Sequence, residues 1–164
     1  MKVLTGMDES LALKFLEKAA EVAKNSTCLR AKCGSVIISG YNIIGEGFNS
    51  PPGNHEEQRR CLEHKSELHP KVSDKTCCIH AEQRAIISAL MGRHDKIFKS
   101  DIYFARIDER GKIQECGAPY CTHCSKLTLD VGISRFILLN KEGICAYNTQ
   151  EYNLLSFKYG GEDD

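Results

Sequence analysis

The chain has 164 residues, and its 22 Lys and Arg balance its 22 Asp and Glu to a formal net charge of zero. That length predicts one domain, 1–164, with a core large enough to need no disulfide framework, and the charge balance offers no attractive field to phosphate polymers or acidic membranes. The longest apolar run, 85–91 with Ser88 inside it, falls far short of a membrane span, and 1–10 carries acids where a signal peptide is apolar, so the expectation is a cytoplasmic protein with neither a membrane nor a nucleic-acid partner.

In chain order, Ala12, Phe15, Leu16, Ala19, Val22 and Ala23 fall at helical spacing, which predicts a helix over 8–25 with Asp8 as its N-cap. Two β-rich runs, 33–39 and 42–48, are separated by Gly40-Tyr41 and read as a hairpin. Residues 49–78 are polar, contain Pro51, Pro52, Gly53 and Pro70, and read as a long loop. Loops of that length inside a domain are usually functional or held by a ligand, and the stretch 50–79 is rich in Cys and His. A second helix is predicted over 80–93, a strand over 101–107, a turn over 108–111 and a short extended piece over 112–115. A third helix over 121–131 ends at Gly132, a C′ glycine. Strands over 135–139 and 144–147 follow, and the tail 160–164 is expected to fray. Helices alternating with strands predict a layered α/β domain around one mixed sheet.

Nine cysteines are many for a chain in a reducing compartment, and an odd number cannot all pair. Such cysteines more often bind metal or do chemistry. Several stand beside histidines, which makes zinc the first candidate and copper(I) or iron–sulfur weaker ones.

The decisive grouping is His80-Ala81-Glu82 at the start of one helix and Cys121-Thr122-His123-Cys124 at the start of another. Cys121 and Cys124, three apart, share one face of a first helical turn, where unpaired N–H groups favour thiolate. One histidine and two thiolates leave a tetrahedral position open, as in catalytic zinc sites. Glu82, beside that set, is suited to move a proton from water to a ring nitrogen and a leaving amine.

This H-x-E followed by C-x-x-C resembles the zinc-dependent cytidine and deoxycytidylate deaminase superfamily, and the resemblance runs from the first helix to Leu139. It implies a cytidine-deaminase-like α/β/α fold, a zinc ion on His80, Cys121 and Cys124, and Glu82 as catalytic proton shuttle. The deoxycytidylate branch is most similar: Gly34-Ser35-Val36-Ile37-Ile38 resembles its first strand and Gly47-Phe48-Asn49-Ser50-Pro51-Pro52-Gly53 its aromatic-Asn-x-x-Pro loop. That branch implies hydrolysis of a free cytosine nucleotide, deoxycytidylate (dCMP) to deoxyuridylate (dUMP) and ammonia, by a homo-oligomer to which 157–159 could contribute contacts. Asn49 is then a substrate contact. Some members hold a second, structural zinc, for which Cys28, Cys61, His69 and Cys78 are the candidate ligands, with His64 and Cys77 as substitutes.

The sequence departs from the family pattern in three places. Tyr120 intervenes between Pro119 and Cys121; Arg84 replaces the Asn of H-A-E-x-N-A; and 108–118 is longer than the family's link. Arg84 is the candidate for meeting a substrate phosphate, against a plain solvated helix charge. Two alternatives remain: a deaminase of another base or of a nucleic-acid base, as in tRNA-adenosine enzymes, and a non-catalytic structural zinc module.

Overall fold

The computed structural model of the chain describes residues 1–160; 161–164, most of the tail expected to fray, lie outside the described residues. Strand β1 (Lys2–Val3) and helix α1 (Gly6–Ala23) precede the hairpin β2 (Lys32–Ser39) and β3 (Asn42–Phe48). Helix α2 (Ala81–Arg93), strands β4 (Asp101–Ile107) and β5 (Ile113–Gln114), helix α3 (Thr122–Asp130), the pair β6 (Arg135–Asn140) and β7 (Gly143–Asn148), and helix α4 (Thr149–Phe157) complete it.

The seven strands form one mixed sheet in the order β1-β7-β6-β4-β2-β3, with β5 on β4. β4 and β6 run parallel and the other pairs antiparallel. Successive residues of a strand face opposite sides, so β2 sends Val36 and Ile38 to one core with Leu16 and Ala19 of α1, and Ile37 to the other with Ala85, Ile86 and Ala89 of α2. The predicted α/β/α layering is therefore observed. Gly47 of β3 sets the position of α2: a Cβ there would overlap the Ala81 carbonyl, so only glycine lets the start of α2 lie against the strand. Gly34 of β2 serves α1 in the same way, beneath the Ala19 carbonyl.

The sequence reading needs correction at five points. Thr5, not Asp8, occupies the N-cap of α1, and Asp8 lies in the first turn, where its charge still complements the helix dipole. The helix ends at Ala23 rather than residue 25. β1 is too short to carry a pattern, and α4 was not predicted even though Asn148 caps it, its side chain accepting from the Gln150 N–H at 2.9 Å. The loop 49–78 is not featureless: it holds 3₁₀ turns at Pro52–Asn54, Glu56–Gln58 and Lys65–Glu67, and an isolated bridge joins Ser50 to Ile79 near its ends. Among the described residues no helix is long and apolar enough to cross a membrane.

Candidate active site

Two helix N-termini meet at the site. His80 caps α2 in an extended conformation (φ −73°, ψ 154°), outside the helical spiral that would turn residues two apart in different directions. Its backbone N–H donates to Gln83 Oε1 at 2.9 Å. Cys121 caps α3, and its Sγ accepts from the Cys124 N–H at 3.5 Å. His80 Nδ1 lies 3.2 Å from both Cys121 Sγ and Cys124 Sγ.

The hydrogen bond with Cys124 is the main influence holding the Cys121 thiol down at about 4; burial opposes it and the His80 imidazole reinforces it. Hydrogen bonding to Cys121 lifts His80 to about 9, and the bond to Cys121 together with burial keeps Cys124 well above the usual thiol range. These three donor atoms lie within 4.8 Å of one another. One imidazole nitrogen and two convergent sulfurs, one of them a ready thiolate, fit a zinc ion with a coordination position left open.

Glu82 occupies the first turn of α2 and is only 6 % exposed. Burial pushes its carboxyl up, against the pull of His80, as suits a group that must hold a proton and release it. It lines a cavity of about 260 Å³ together with His80 and Cys121. Phe104, Leu138, Tyr120 and Tyr152 supply apolar and aromatic wall, and Cys33 and Cys116 supply two thiols whose burial keeps them protonated. Arg60, Lys65 and Lys75 reach the same cavity from the long loop, and Arg30, which donates to the Cys61 carbonyl of that loop, from the α1–β2 connection. Sequence reading missed these cations, because only the path of that loop brings them to the site and no local pattern encodes it.

Asn49 lines the cavity, but its amide is largely engaged. Oδ1 accepts from the Cys33 N–H at 2.8 Å and from Ser26 Oγ at 2.7 Å, while Nδ2 donates to the Ala31 carbonyl at 2.8 Å. One amide proton remains for a ligand. Arg84 is not among the residues lining this cavity. Its guanidinium donates to the Pro51 carbonyl at 2.9 Å and lies 6.0 Å from the Phe48 ring centroid, so it clamps the chain leaving β3 instead of facing Glu82.

Of the four candidate ligands for a second zinc, Cys28, Cys61 and Cys78 converge within 4.8 Å. His69 does not join them: it is exposed, and its Nδ1 accepts from the Lys71 N–H at 3.1 Å. His64 is likewise exposed and outside the group. Cys77 is beside it, with Sγ 3.4 Å from Cys61 Sγ. Burial raises the Cys61 thiol, but hydrogen bonds from the Leu29 backbone, Cys77, Cys78 and Arg59 outweigh it and hold Cys61 at about 7.

Comparison with known proteins agrees with this chemistry. The deoxycytidylate deaminase of Schizosaccharomyces pombe is 26% identical over 126 residues, covering 74% of this chain and 33% of the relative, so the chain spans a third of that protein's length. The deoxycytidylate deaminase of Mycobacterium phage D29 is 27% identical over 129 residues, covering 75% of this chain and 89% of the relative. Among solved structures, the dCMP deaminase of cyanophage S-TIM5 in complex with dCMP and dUMP superposes with a TM-score of 0.58 at 20% identity, over 82% of this chain and 85% of that one. The cytidine deaminase of Burkholderia pseudomallei gives 0.54 at 13% identity over 85% and 94%, and both likenesses establish the fold. Residues 9–140 match the model of the cytidine and deoxycytidylate deaminase zinc-binding region, and the chain belongs to that family.

Proposed function

We propose that the protein deaminates a free cytosine mononucleotide, dCMP to dUMP with release of ammonia. One observation carries the reading: a single cavity of about 260 Å³ is lined both by Glu82, His80 and Cys121, the last two converging with the buried Cys124, and by the cations Arg30, Arg60, Lys65 and Lys75. Arg30 donates to the Cys61 and Glu63 carbonyls and Lys75 to the Leu68 carbonyl, so both are tied to the backbone with donors to spare, and Arg60 and Lys65, whose side chains make no hydrogen bond among the described residues, are the groups best placed to turn to a 5′-phosphate. Relatives sharing 26% and 27% of their aligned residues with this chain are deoxycytidylate deaminases.

His80, Cys121 and Cys124 would hold a zinc ion, which would supply Lewis acidity towards a water at the open position. Glu82 does the proton work. Its raised affinity lets it take a proton from the attacking water and pass it to the pyrimidine N3 as C4–O forms, then take the remaining proton from the new C4 hydroxyl and deliver it to the amine, so that C4–N breaks, ammonia leaves and C4=O is left. The walls of Phe104 and Leu138 keep bulk water from that exchange.

Cys28, Cys61 and Cys78, with Cys77 as the nearest further sulfur, suit a second, structural zinc closed by four protein ligands, which would anchor the long loop. Two such thiol groups require a reducing cytoplasm. The exposed apolar residues Ile87 and Met91 of α2 support self-association into a homo-oligomer. The test is ammonia release measured across free cytosine and adenine nucleotides, nucleosides, oligonucleotides and tRNA. Activity on dCMP with none on the polymers is expected, and activity on a polymer alone overturns the reading.

A further inference from the structure

Helix α4 lies wholly beyond the residues matched by the family, 9–140, yet it reaches the catalytic cavity through Tyr152. That side chain is 6 % exposed, and its ring is fixed on two sides: stacked on Phe136 at 4.0 Å and 7°, and edge-on to Tyr147 at 5.4 Å and 83°. A ring so held can direct its hydroxyl along only one line. Ser125 Oγ donates to Asn153 Oδ1 at 2.9 Å, tying α4 to the helix that carries Cys121 and Cys124.

The phenol hydroxyl of Tyr152 has no hydrogen-bond partner among the described residues; the one side-chain bond to this residue is from Ser156 Oγ to its backbone carbonyl. Nor is the hydroxyl among the sealed, unpartnered polar atoms, which are Ser35 Oγ and Arg84 Nε, so it opens into the cavity it lines. The neighbouring Tyr147 is the contrast, with its hydroxyl accepting from Asn140 Nδ2 at 3.2 Å. A phenol that opens into the cavity and has no protein partner keeps its O–H free for a ligand, whereas phenylalanine would serve packing alone equally well.

We propose that Tyr152 is a substrate-binding residue, its phenol donating a hydrogen bond to an acceptor on the bound pyrimidine. Burial, and after it the Glu82 carboxylate, keep the phenol well above its ordinary range, so it is a donor at any pH at which the enzyme works. The inference rests on the deaminase reading above and adds a specificity contact supplied by a segment outside the family match.

The test is Tyr152→Phe in the zinc-loaded protein, read by thermal midpoint, dUMP affinity and dCMP kinetics. The expected result is an unchanged midpoint, because the hydroxyl bonds to no other residue, with KM and the dUMP Kd both raised about 3- to 10-fold and kcat nearly unchanged. Unaltered KM and dUMP affinity overturn the proposal while leaving the deaminase reading intact. Should the variant fold poorly, 3-fluorotyrosine at position 152 provides a second readout. Its fluorine resonance is expected to move on saturation with dUMP while one at position 147 stays put, and an unmoved resonance at 152 also overturns the contact. A wild-type protein that neither binds dUMP nor turns over any cytosine nucleotide overturns the deaminase reading and the inference built on it.

Discussion

His80 Nδ1 stands 3.2 Å from Cys121 Sγ, although the two residues are 41 positions apart, because each caps a different helix and the two helices begin at the same cavity. A cap residue has non-helical backbone angles, so its side chain turns towards the cavity instead of following the spiral. Glu82 follows His80 by two residues and enters the same space from the first turn of α2. The candidate ligand and the candidate proton carrier are thus placed by a single helix start.

From that arrangement, Glu82→Gln keeps the shape of the side chain and all three donors while removing the group that carries the proton. The variant is expected to hold as much zinc at the His80 site as the wild type and to lose about 10²–10⁴-fold in kcat. Paired metal analysis and ammonia assay check this; wild-type turnover with an intact metal site would refute the proton role.

The two thiol groups predict a stoichiometry. Purified wild-type protein is expected to carry close to two zinc per chain, and Cys61→Ser close to one, with faster proteolysis between residues 50 and 79 because the loop loses its anchor. His69→Ala is expected to leave both values unchanged, since His69 is exposed and outside the sulfur cluster. A wild type with one zinc would rule out the second ion, and loss of an ion in His69→Ala would restore that residue as a ligand.

Gly47→Ala probes how closely α2 must lie on β3. The added methyl would overlap the Ala81 carbonyl and the Ala85 N–H group, both backbone, so the helix itself has to move. Overpacking of this kind costs about 1–3 kcal/mol. A thermal midpoint lower by several degrees is expected, with a larger loss of kcat than a comparable substitution at Gly92 of the same helix, where an added Cβ would meet open space. An unchanged midpoint would mean that the helix is not held there.

Much of this frame was legible in the residues themselves. The strands over 42–48 and 101–107 were expected with the bounds they have, because turn residues or polar loop punctuate both, and the side chains of 101–107 alternate between two cores. The triad was legible because metal chemistry restricts the residue types and helix starts restrict their placing. By contrast, α4 is only nine residues long and weakly patterned; its one local signal was the cap at Asn148. That Arg84 holds the Pro51 carbonyl and that Arg60 lines the cavity have a common cause. Which side chains a 30-residue loop lays over a cavity follows from its tertiary path and its sulfur anchors, and neither has a periodicity to read.

That difference between Arg60 and Arg84 yields the last prediction. Arg60 lines the catalytic cavity, and its backbone N–H donates to Cys77 Sγ at 2.9 Å, which places it beside the sulfur cluster. Arg84 instead holds the Pro51 carbonyl and lines a different recess with Phe48 and Met91. Arg60→Gln is therefore expected to raise KM for dCMP about 10-fold while leaving deoxycytidine deamination nearly unchanged, because only the nucleotide carries the phosphate that a charge-assisted hydrogen bond of about 1.5–3 kcal/mol would hold. Arg84→Gln is expected to lower the thermal midpoint and to change both substrates alike, because it loosens the loop and removes no phosphate contact. Added salt should raise the wild-type KM for dCMP only weakly, since one phosphate and not a chain of them is bound. Steady-state kinetics on the nucleotide and nucleoside pair, at two ionic strengths, decide the matter: equal changes in Arg60→Gln with a nucleotide-specific loss in Arg84→Gln would return the phosphate to α2.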